Sequence, residues 1–277
     1  MPDISGTDSP ACRLCGSTSL IDLGRQRDWL HQAKASRDGR RQVATLVEAD
    51  PALTFDGLVE CTTCGFRSVA RIPPAEALAA FYERYHANAG YASKATKKIA
   101  RAKRWIARLG QPYGQRRFLD VGCNQGFAVA AAAELGWTAH GIDVDSAAID
   151  YAKATFPELS FEYRSAADLA DSEPARFDLV YCSEVIEHVP DFAAFLAHLA
   201  ELVSPQGRLF LTTPDAGHWR IPTRFIEWSQ VKPPEHINYF QRKHIRDLLR
   251  QCGLTAKCRR RLKPGMHIVA QRSERRR

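Results

Sequence analysis

The sequence has no run of about 18 apolar residues, which a membrane-spanning helix would need. Its first ten residues, MPDISGTDSP, lack the apolar core of a secretion signal. These absences give no reason to place the chain in or across a membrane. We therefore expect a soluble protein of the cytoplasm.

An excess of positive charge is also missing from most of the chain. The formal net charge is +8, and residues 255–277 account for it with nine Lys and Arg against one acid. Such a segment could attract a phosphorylated substrate, an anionic surface or RNA. We favour a solvated edge strand and a basic tail, because charged edges block unwanted strand pairing. Basic and aromatic residues are not interleaved, so a nucleic-acid partner is not expected.

The most informative stretch is FLDVGCNQGFAVAAAAELGWTAHGIDVD, residues 118–145. It predicts a strand, a glycine turn that opens a helix at about Phe127, and a second strand. Gly122 and Gly126 let the backbone approach a ligand, and the helix N-terminus supplies N–H groups. Asp143 ends the second strand, where a carboxylate can accept both hydroxyls of a ribose. The stretch therefore predicts a nucleotide-cofactor site.

Two features of this turn favour S-adenosylmethionine over NAD. Asn124 replaces the middle glycine of the dinucleotide pattern, and Asp120 precedes the turn. A carboxylate there would repel a pyrophosphate but attract an ammonium or sulfonium group. The spacing D-x-G-x-N-x-G resembles the first motif of class I S-adenosylmethionine-dependent methyltransferases, and the resemblance covers roughly residues 95–272. It implies a methyltransferase whose cofactor is held by Asp120, Gly122, Asn124, Gly126, Asp143, Asp168 and Ser183.

The chain downstream alternates strands and helices, as a doubly wound sheet requires. Expected strands are TAHGID, SFEYR, FDLVYCS, GRLFLTT, LTAKCRR and MHIVAQR, and helices begin near Ser146, Asp191 and Gln241. The last two strands should form the antiparallel hairpin that distinguishes a methyltransferase sheet from a dehydrogenase sheet. We predict an α/β fold, a doubly wound Rossmann-like sheet of seven strands with a small N-terminal zinc-binding domain.

Four of the eight cysteines form two C-x-x-C-G pairs, Cys12 with Cys15 and Cys61 with Cys64. Two such knuckles let four thiolates converge on one tetrahedral metal ion, and the glycine permits the tight turn. Disulfides are the alternative, but the absence of a secretion signal argues against them. We expect one zinc ion with a structural role, because four sulfur ligands leave no open position for a substrate.

We expect three parts along the chain. Residues 1–75 form the zinc-binding module, whose long insertion between the knuckles is polar and basic and suggests an arm or loop. Residues 76–112 form a helical linker or lid, with a helix to about Tyr85, a turn near Gly90 and a second amphipathic helix. Residues 113–277 form the methyltransferase domain.

The two knuckles, a Tyr-rich helix pair and the G-C-N-x-G turn are together similar to the deoxysugar C-methyltransferases and to methyltransferases of polysaccharide and secondary-metabolite pathways. The resemblance implies a small-molecule substrate, a sugar or nucleotide-linked sugar. Residues 233–240, PPEHINYF, resemble the segment of the sugar enzymes whose glutamate and histidine remove a proton. It implies that Glu235 and His236 are catalytic, since a histidine accepts protons near neutral pH. A helix-capping or core histidine is the alternative.

Two further groups lie beyond the carboxyl ends of predicted strands, where open sheets bind ligands. Asp168 is placed either to accept the adenine amino group or simply to begin a helix. Glu184, Glu187 and His188 are spaced to share one face of a helical turn. Their string C-x-E-x-x-E-H-V resembles the quinone-pathway O-methyltransferases, which implies either an active-site role, possible divalent-cation binding included, or plain support of a loop.

We expect in-line transfer of the sulfonium methyl group to an oxygen or carbon of the substrate. The alternatives are a metal-assisted O-methyltransferase of a quinone-like phenol and a methyltransferase of RNA or protein. The sequence lacks the N/D-P-P-Y/F motif of enzymes that methylate base amino groups, which argues against RNA. A scaffold without catalysis is disfavoured by the intact turn together with Asp143 and His236.

Overall fold

The computed structural model describes residues 11–87, 95–110, 116–259 and 262–273. The chain divides into two compact units, each described here by itself. The first contains residues up to 89 together with Pro214–Gln241, and the second contains residues 90–213 together with Arg242–Arg277. This division differs from the predicted boundary at residue 113, because Pro214–Gln241 returns to the first unit and adds a strand to its sheet.

The described elements follow one another along the chain with short connections. In order they are β1 (Leu20–Arg25), α1 (Gln26–Ala35), α2 (Arg40–Ala49), β2 (Gly57–Cys61), β3 (Arg67–Val69), α3 (Ala75–Ala87), α4 (Ala95–Arg108), β4 (Arg117–Val121), α5 (Phe127–Ala133), β5 (Thr138–Asp143), α6 (Ser146–Thr155), β6 (Ser160–Tyr163), α7 (Ala166–Ser172), β7 (Phe177–Ser183), α8 (Phe192–Leu202), β8 (Val203–Thr213), β9 (Asn238–Tyr239), α9 (Arg242–Gln251), β10 (Leu254–Arg259) and β11 (Met266–Arg272). Among the described helices, none has both the length and the apolar content needed to cross a bilayer.

The first unit is built on an antiparallel sheet of order β1-β2-β3-β9. The segment between the two knuckles contributes helices α1 and α2, where the sequence suggested an arm or loop. Trp29 and Ala33 are fully buried on α1, and Val43 and Val47 are buried on α2. Each pair is four residues apart, so each helix places its apolar face in the core of the unit. Polar residues between them masked this pattern.

The second unit contains the predicted seven-stranded sheet, in the order β10-β11-β8-β7-β4-β5-β6. Strands β4 to β8 run parallel, and β11 is antiparallel to both β8 and β10. The predicted α/β fold, with its doubly wound sheet and terminal antiparallel hairpin, is therefore confirmed. Because the carboxyl ends of parallel strands meet at one edge, the ends of β4, β5, β7 and β8 together form the candidate site.

Candidate active site

The turn between β4 and α5 is shaped by three residues with left-handed backbone. Gly122, Asn124 and Gly126 have φ values of 74°, 46° and 80°. A Cβ atom on Gly126 would lie 2.6 Å from the ring of Phe161, so this glycine is required for packing as well as for conformation. Asparagine tolerates this region, and the Asn124 side chain accepts a hydrogen bond from the Gln125 N–H at 2.9 Å. Asparagine can therefore stand where the family motif has glycine.

The carboxylate of Asp143 ties this turn to the end of β5. Its Oδ2 accepts a hydrogen bond from the Asn124 N–H at 2.7 Å, and its Oδ1 accepts one from the Asp145 N–H at 3.0 Å. Burial raises the pKa of Asp143, while these backbone N–H groups lower it in part. The carboxylate is thus fixed beside the turn, at the position predicted for a ribose-binding acid.

Asp120 lies on β4 and is only 4% exposed. Burial and the neighbouring charge of Asp143 raise the pKa of Asp120 to about 8. A carboxyl with this pKa is mostly protonated at neutral pH and ionises readily when a cation approaches. The predicted turn therefore brings two acids together in surroundings that favour a positively charged ligand.

Asp168 is exposed in the first turn of α7. The Ser165 hydroxyl donates to Asp168 Oδ2 at 2.6 Å and accepts from the Asp168 N–H at 3.1 Å. This is the reciprocal arrangement of a helix cap. The geometry matches the second of the two roles considered for this residue, and contact with adenine remains a prediction.

Ser183 ends β7 and belongs to a chain of hydroxyl groups. Its Oγ lies 2.8 Å from Thr212 Oγ1, and the Thr212 hydroxyl donates to Glu184 Oε1 at 2.9 Å. A hydroxyl has one proton, so Ser183 must donate to Thr212. The chain connects the end of β7 with the end of β8 and directs the Glu184 carboxylate toward β8.

The predicted acidic face has a different geometry from an α-helical turn. Glu184 has a φ of 58° and is exposed, and it precedes a short 3-10 turn at Ile186–His188. Glu187 is 1% exposed, and its Oε2 accepts from the Thr213 hydroxyl at 2.9 Å. His188 Nε2 lies 4.0 Å from Glu187 Oε1. A buried carboxylate next to a half-buried imidazole favours the protonated ring and thus makes it a stronger base.

Glu235 and His236 lie in the first unit, and His188 lies in the second. His236 is 4% exposed, and its Nδ1 lies 2.8 Å from the Gln230 carbonyl oxygen. A carbonyl only accepts, so Nδ1 carries the proton and the neutral ring has its lone pair on Nε2. The Glu235 carboxylate lies 3.8 Å from Lys232 Nζ. The imidazole is therefore oriented by a backbone carbonyl at Nδ1, where the sequence suggested the neighbouring acid.

The four predicted metal ligands converge in the first unit. The Sγ atoms of Cys12 and Cys64 are 3.6 Å apart, those of Cys15 and Cys61 are also 3.6 Å apart, and all four lie within 4.8 Å of one another. A tetrahedral zinc site with Zn–S bonds of about 2.3 Å has sulfur atoms about 3.8 Å apart. In each knuckle the glycine N–H bonds to the carbonyl of the first cysteine, at 2.8 and 2.7 Å. The donor set and its spacing fit one zinc ion.

The structure adds three residues that the sequence analysis did not select. Thr212 and Thr213 hold the two glutamates, and Gln230 orients His236. The threonines close the predicted strand GRLFLTT, so hydroxyl groups at a carboxyl strand end were a usable signal. Gln230 acts through its backbone carbonyl, which leaves no signal in the sequence.

Curated proteins resemble part of this chain. The ubiquinone biosynthesis O-methyltransferase of Thiobacillus denitrificans is 39% identical over 114 residues, which are 40% of this chain and 49% of that protein. The enzyme of the same name from Bartonella tribocorum is 36% identical over 162 residues, which are 52% of this chain and 65% of that protein. The chain thus spans about half of the first relative's length and somewhat more of the second.

Solved structures share the fold. The 1,6-didemethyltoxoflavin-N1-methyltransferase of Burkholderia thailandensis, with bound 1,6-didemethyltoxoflavin and S-adenosylhomocysteine, has a TM-score of 0.55 at 18% identity and covers 76% of this chain and 97% of its own. The magnesium protoporphyrin IX methyltransferase of Synechocystis, with bound S-adenosylhomocysteine, has a TM-score of 0.51 at 19% identity and covers 67% and 89%. At these identities the likeness concerns the fold.

The family itself is shown by a match to more than half of the chain. The family described as a methyltransferase domain matches residues 91–258, which include the β4–α5 turn, the end of β5 and the acidic segment after β7. The predicted enzyme class, an S-adenosylmethionine-dependent methyltransferase, is confirmed at the level of this family. The chain belongs to the methyltransferase domain family.

Proposed function

We propose that the chain transfers the methyl group of S-adenosylmethionine to a hydroxyl oxygen of a small molecule, and that the acceptor is a phenol related to quinones. The sequence alone favoured a sugar or nucleotide-linked sugar over this alternative. The relatives named as O-methyltransferases of ubiquinone biosynthesis support the phenol. The C-x-E-x-x-E-H string supports it independently, from within the chain.

The observation that carries the proposal is the buried pair of Asp120 and Asp143 at the ends of adjacent strands. When bound, S-adenosylmethionine supplies a methyl group on a positively charged sulfur. A ligand with this charge offsets the cost of ionising Asp120, and Asp143 is placed for the ribose. We assign the cofactor to these acids with Gly122, Asn124, Gly126, Asp168 and Ser183.

On the acceptor side, a phenol loses its proton near pH 10 in water, so transfer near neutrality needs a base or a cation. His236 is the proposed base, because its Nδ1–H donates to Gln230 and the lone pair is on Nε2. Glu235 precedes it, and His188 beside Glu187 is the second proposed catalytic group. A cation held by Glu184, Glu187 and His188 would instead acidify the phenol directly.

We also propose that Cys12, Cys15, Cys61 and Cys64 hold one structural zinc ion. Their sulfur atoms converge to near the spacing of a tetrahedral site, and four thiolates leave no open position for a substrate. In this proposal the metal stabilises the first unit and takes no part in methyl transfer. Its support is the geometry of the four side chains.

The test is a methyl-transfer assay with S-adenosylmethionine labelled on its methyl group. We expect label to appear in a catechol with an apolar substituent and not in nucleotide-linked sugars. His236→Gln should lower turnover by about 10² to 10⁴ while S-adenosylhomocysteine affinity stays unchanged. The matched control is His31→Gln, an exposed histidine of the same unit, which should leave turnover unchanged.

The same assay separates the alternatives. Stimulation by Mg²⁺, with activity abolished in Glu187→Gln and retained in His236→Gln, would show that the acidic segment acts through a cation. Label found in a nucleotide-linked sugar and absent from every phenol would contradict the proposed acceptor. Binding of NAD without binding of S-adenosylhomocysteine would contradict the cofactor.

A sugar acceptor is the second candidate, and one observation favours it. The four cysteine sulfurs converge as the resemblance to the sugar methyltransferases requires, in a part of the chain that the family match does not include. The Glu235–His236 segment belongs to the same unit. Nucleotide-linked sugars are therefore the second substrate series in the assay.

A further inference from the structure

Residues 237–241 in the first unit are attached to both cysteine knuckles. From the first knuckle, Arg13 donates through Nη2 to the Ile237 carbonyl at 3.0 Å and reaches Asn238 Oδ1 at 3.4 Å. From the second knuckle, the Gly65 carbonyl accepts a hydrogen bond from Gln241 Nε2 at 2.9 Å. One attachment lies at each end of this short segment, which follows His236 directly.

A strand pair connects the same two regions between these attachments. Strand β9 pairs with β3, which begins three residues after Cys64, and Ser68 lies opposite Asn238. The Val69 N–H donates to the Ile237 carbonyl at 3.1 Å, so this oxygen accepts from both β3 and Arg13. The position of Ile237 is therefore set by groups on both sides.

Arg13 has a charge as well as a reach that suit this place. It stands between Cys12 and Cys15 in the first knuckle. Four thiolates around Zn²⁺ carry a net negative charge, and a guanidinium beside them regains part of the energy lost when it leaves water. The guanidinium is thus expected to stay in place when the metal is bound and to lose part of its stabilisation when the metal leaves.

The orientation of His236 depends on this short segment. Its carbonyl oxygen accepts from the Tyr239 hydroxyl at 2.9 Å, and Tyr239 belongs to β9. Its Nδ1–H donates to the Gln230 carbonyl at 2.8 Å. A shift of Ile237 or Tyr239 would pull on the backbone of His236 and weaken the bond that fixes its tautomer.

We propose that Arg13 is a positioning residue that, together with Gln241, connects the four-cysteine site to the segment after His236, so that the metal-loaded knuckles fix the orientation of this imidazole. The description of His236 as a base rests on the proposed function. The connection itself does not, because it consists of contacts within the first unit. The metal site then acts on the acceptor side of the reaction without binding the acceptor.

The test uses the full zinc-loaded chain with ¹⁵N-labelled histidine, and His236→Gln identifies the signals of His236 in NMR spectra. In Arg13→Gln we expect zinc content to stay at one ion per chain while the Nδ1–H signal of His236 shifts and loses its protection from exchange. Arg13→Lys should restore the signal in part, because it keeps one cationic donor. Arg71→Gln is the control, since Arg71 is an exposed arginine of the same unit that pairs with Asp56.

Gln241→Met is a second, independent variant, because it keeps the side-chain length but removes the donor to Gly65. It should shift the same His236 signal. A wild-type His236 signal in folded, zinc-loaded Arg13→Gln or Gln241→Met would overturn the proposal. Loss of the metal or of the native fold in both variants would also count against it, because these residues would then hold the unit and not the histidine.

Turnover separates this proposal from the proposed function. If both hold, Arg13→Gln should lower turnover by about 10- to 100-fold, as removal of groups around a metal site commonly does, with little change in KM. If His236→Gln leaves turnover intact, His236 is not the base, and the NMR result still decides whether Arg13 positions it.

Discussion

The buried carboxyl of Asp120 makes cofactor binding depend on pH. Its pKa is raised to about 8 by burial and by Asp143, so the free protein holds a proton there at pH 7. A cationic ligand favours the carboxylate, so binding should release this proton, and affinity should rise with pH until about pH 8. The rise should approach tenfold per pH unit at most. Calorimetry of S-adenosylhomocysteine in two buffers of different ionisation enthalpy measures the proton release.

The control for this prediction is Asp120→Asn, which has no proton to release at this position. Its affinity should be lower at pH 8 and nearly independent of pH between 6 and 8. Proton release in the variant equal to that of the unmodified protein would assign the effect to another group. No proton release in the unmodified protein would show that Asp120 stays protonated in the complex.

Asp143 should contribute to affinity in two ways. Its carboxylate is placed for the ribose, and it also accepts the N–H of Asn124 and so holds the turn. Asp143→Ala should weaken S-adenosylhomocysteine binding by about 1.5 to 3 kcal/mol, since charge-assisted hydrogen bonds are lost. Asp150→Ala, an exposed acid on α6, controls for the change in charge. Equal affinity in both variants, measured by calorimetry, would contradict the assignment.

Single residues were predictable where their chemistry is local. The positions of Asp120 and Asp143 follow from strand ends that the apolar runs reveal, and the four cysteines follow from their spacing. The hydrogen-bond partners were not predictable, because Thr213 and the Gln230 carbonyl reach their partners only through the fold. The same holds for Asp168, whose sequence position suits a helix cap and an adenine contact equally.

At the scale of elements, the β4–α5 turn tests why a glycine is required. Gly126→Ala should destabilise the protein by about 2 to 4 kcal/mol, because φ is 80° and the new Cβ meets Phe161. Gly136→Ala isolates the backbone cost, since φ is 82° there and the nearest atom is a flexible arginine nitrogen at 3.5 Å. Its cost should be about 1 to 2 kcal/mol. Urea unfolding measures both.

A double-mutant cycle with Phe161→Leu checks the cause of the difference. If the ring contact matters, Gly126→Ala should cost less in the Phe161→Leu background. Additive losses would show that the backbone conformation alone explains the requirement for glycine.

The elements of the second unit were predicted closely because each strand is a short apolar run. The predicted TAHGID, FDLVYCS and MHIVAQR match β5, β7 and β11 residue for residue. Helices α1 and α2 were missed, because their buried residues are few and polar residues surround them. Propensity and pattern identify an element best when most of its residues are buried.

At the scale of the whole molecule, the division into two units shows what a linear reading cannot supply. Residues 214–241 follow β8 in the chain, yet they belong to the first unit and pair with β3. No composition change marks this return. A pairing between residues about 170 positions apart depends on tertiary structure, so continuous domain boundaries could not describe it.

The two units should respond differently to loss of metal. The first unit depends on the four-cysteine site at one end of its sheet, whereas the second has a core around Phe118, Tyr181 and Phe210. Metal analysis should find about one zinc ion per chain, and a chelator should increase amide exchange in β1, β2 and β3 before it does so in β4 to β8. Cys61→Ser should reproduce this pattern without a chelator. Cys258→Ser, which replaces a cysteine of β10, should not. Simultaneous loss of protection in both units would show that the metal stabilises the whole chain. Protein without zinc, purified under reducing conditions, would remove the metal site altogether.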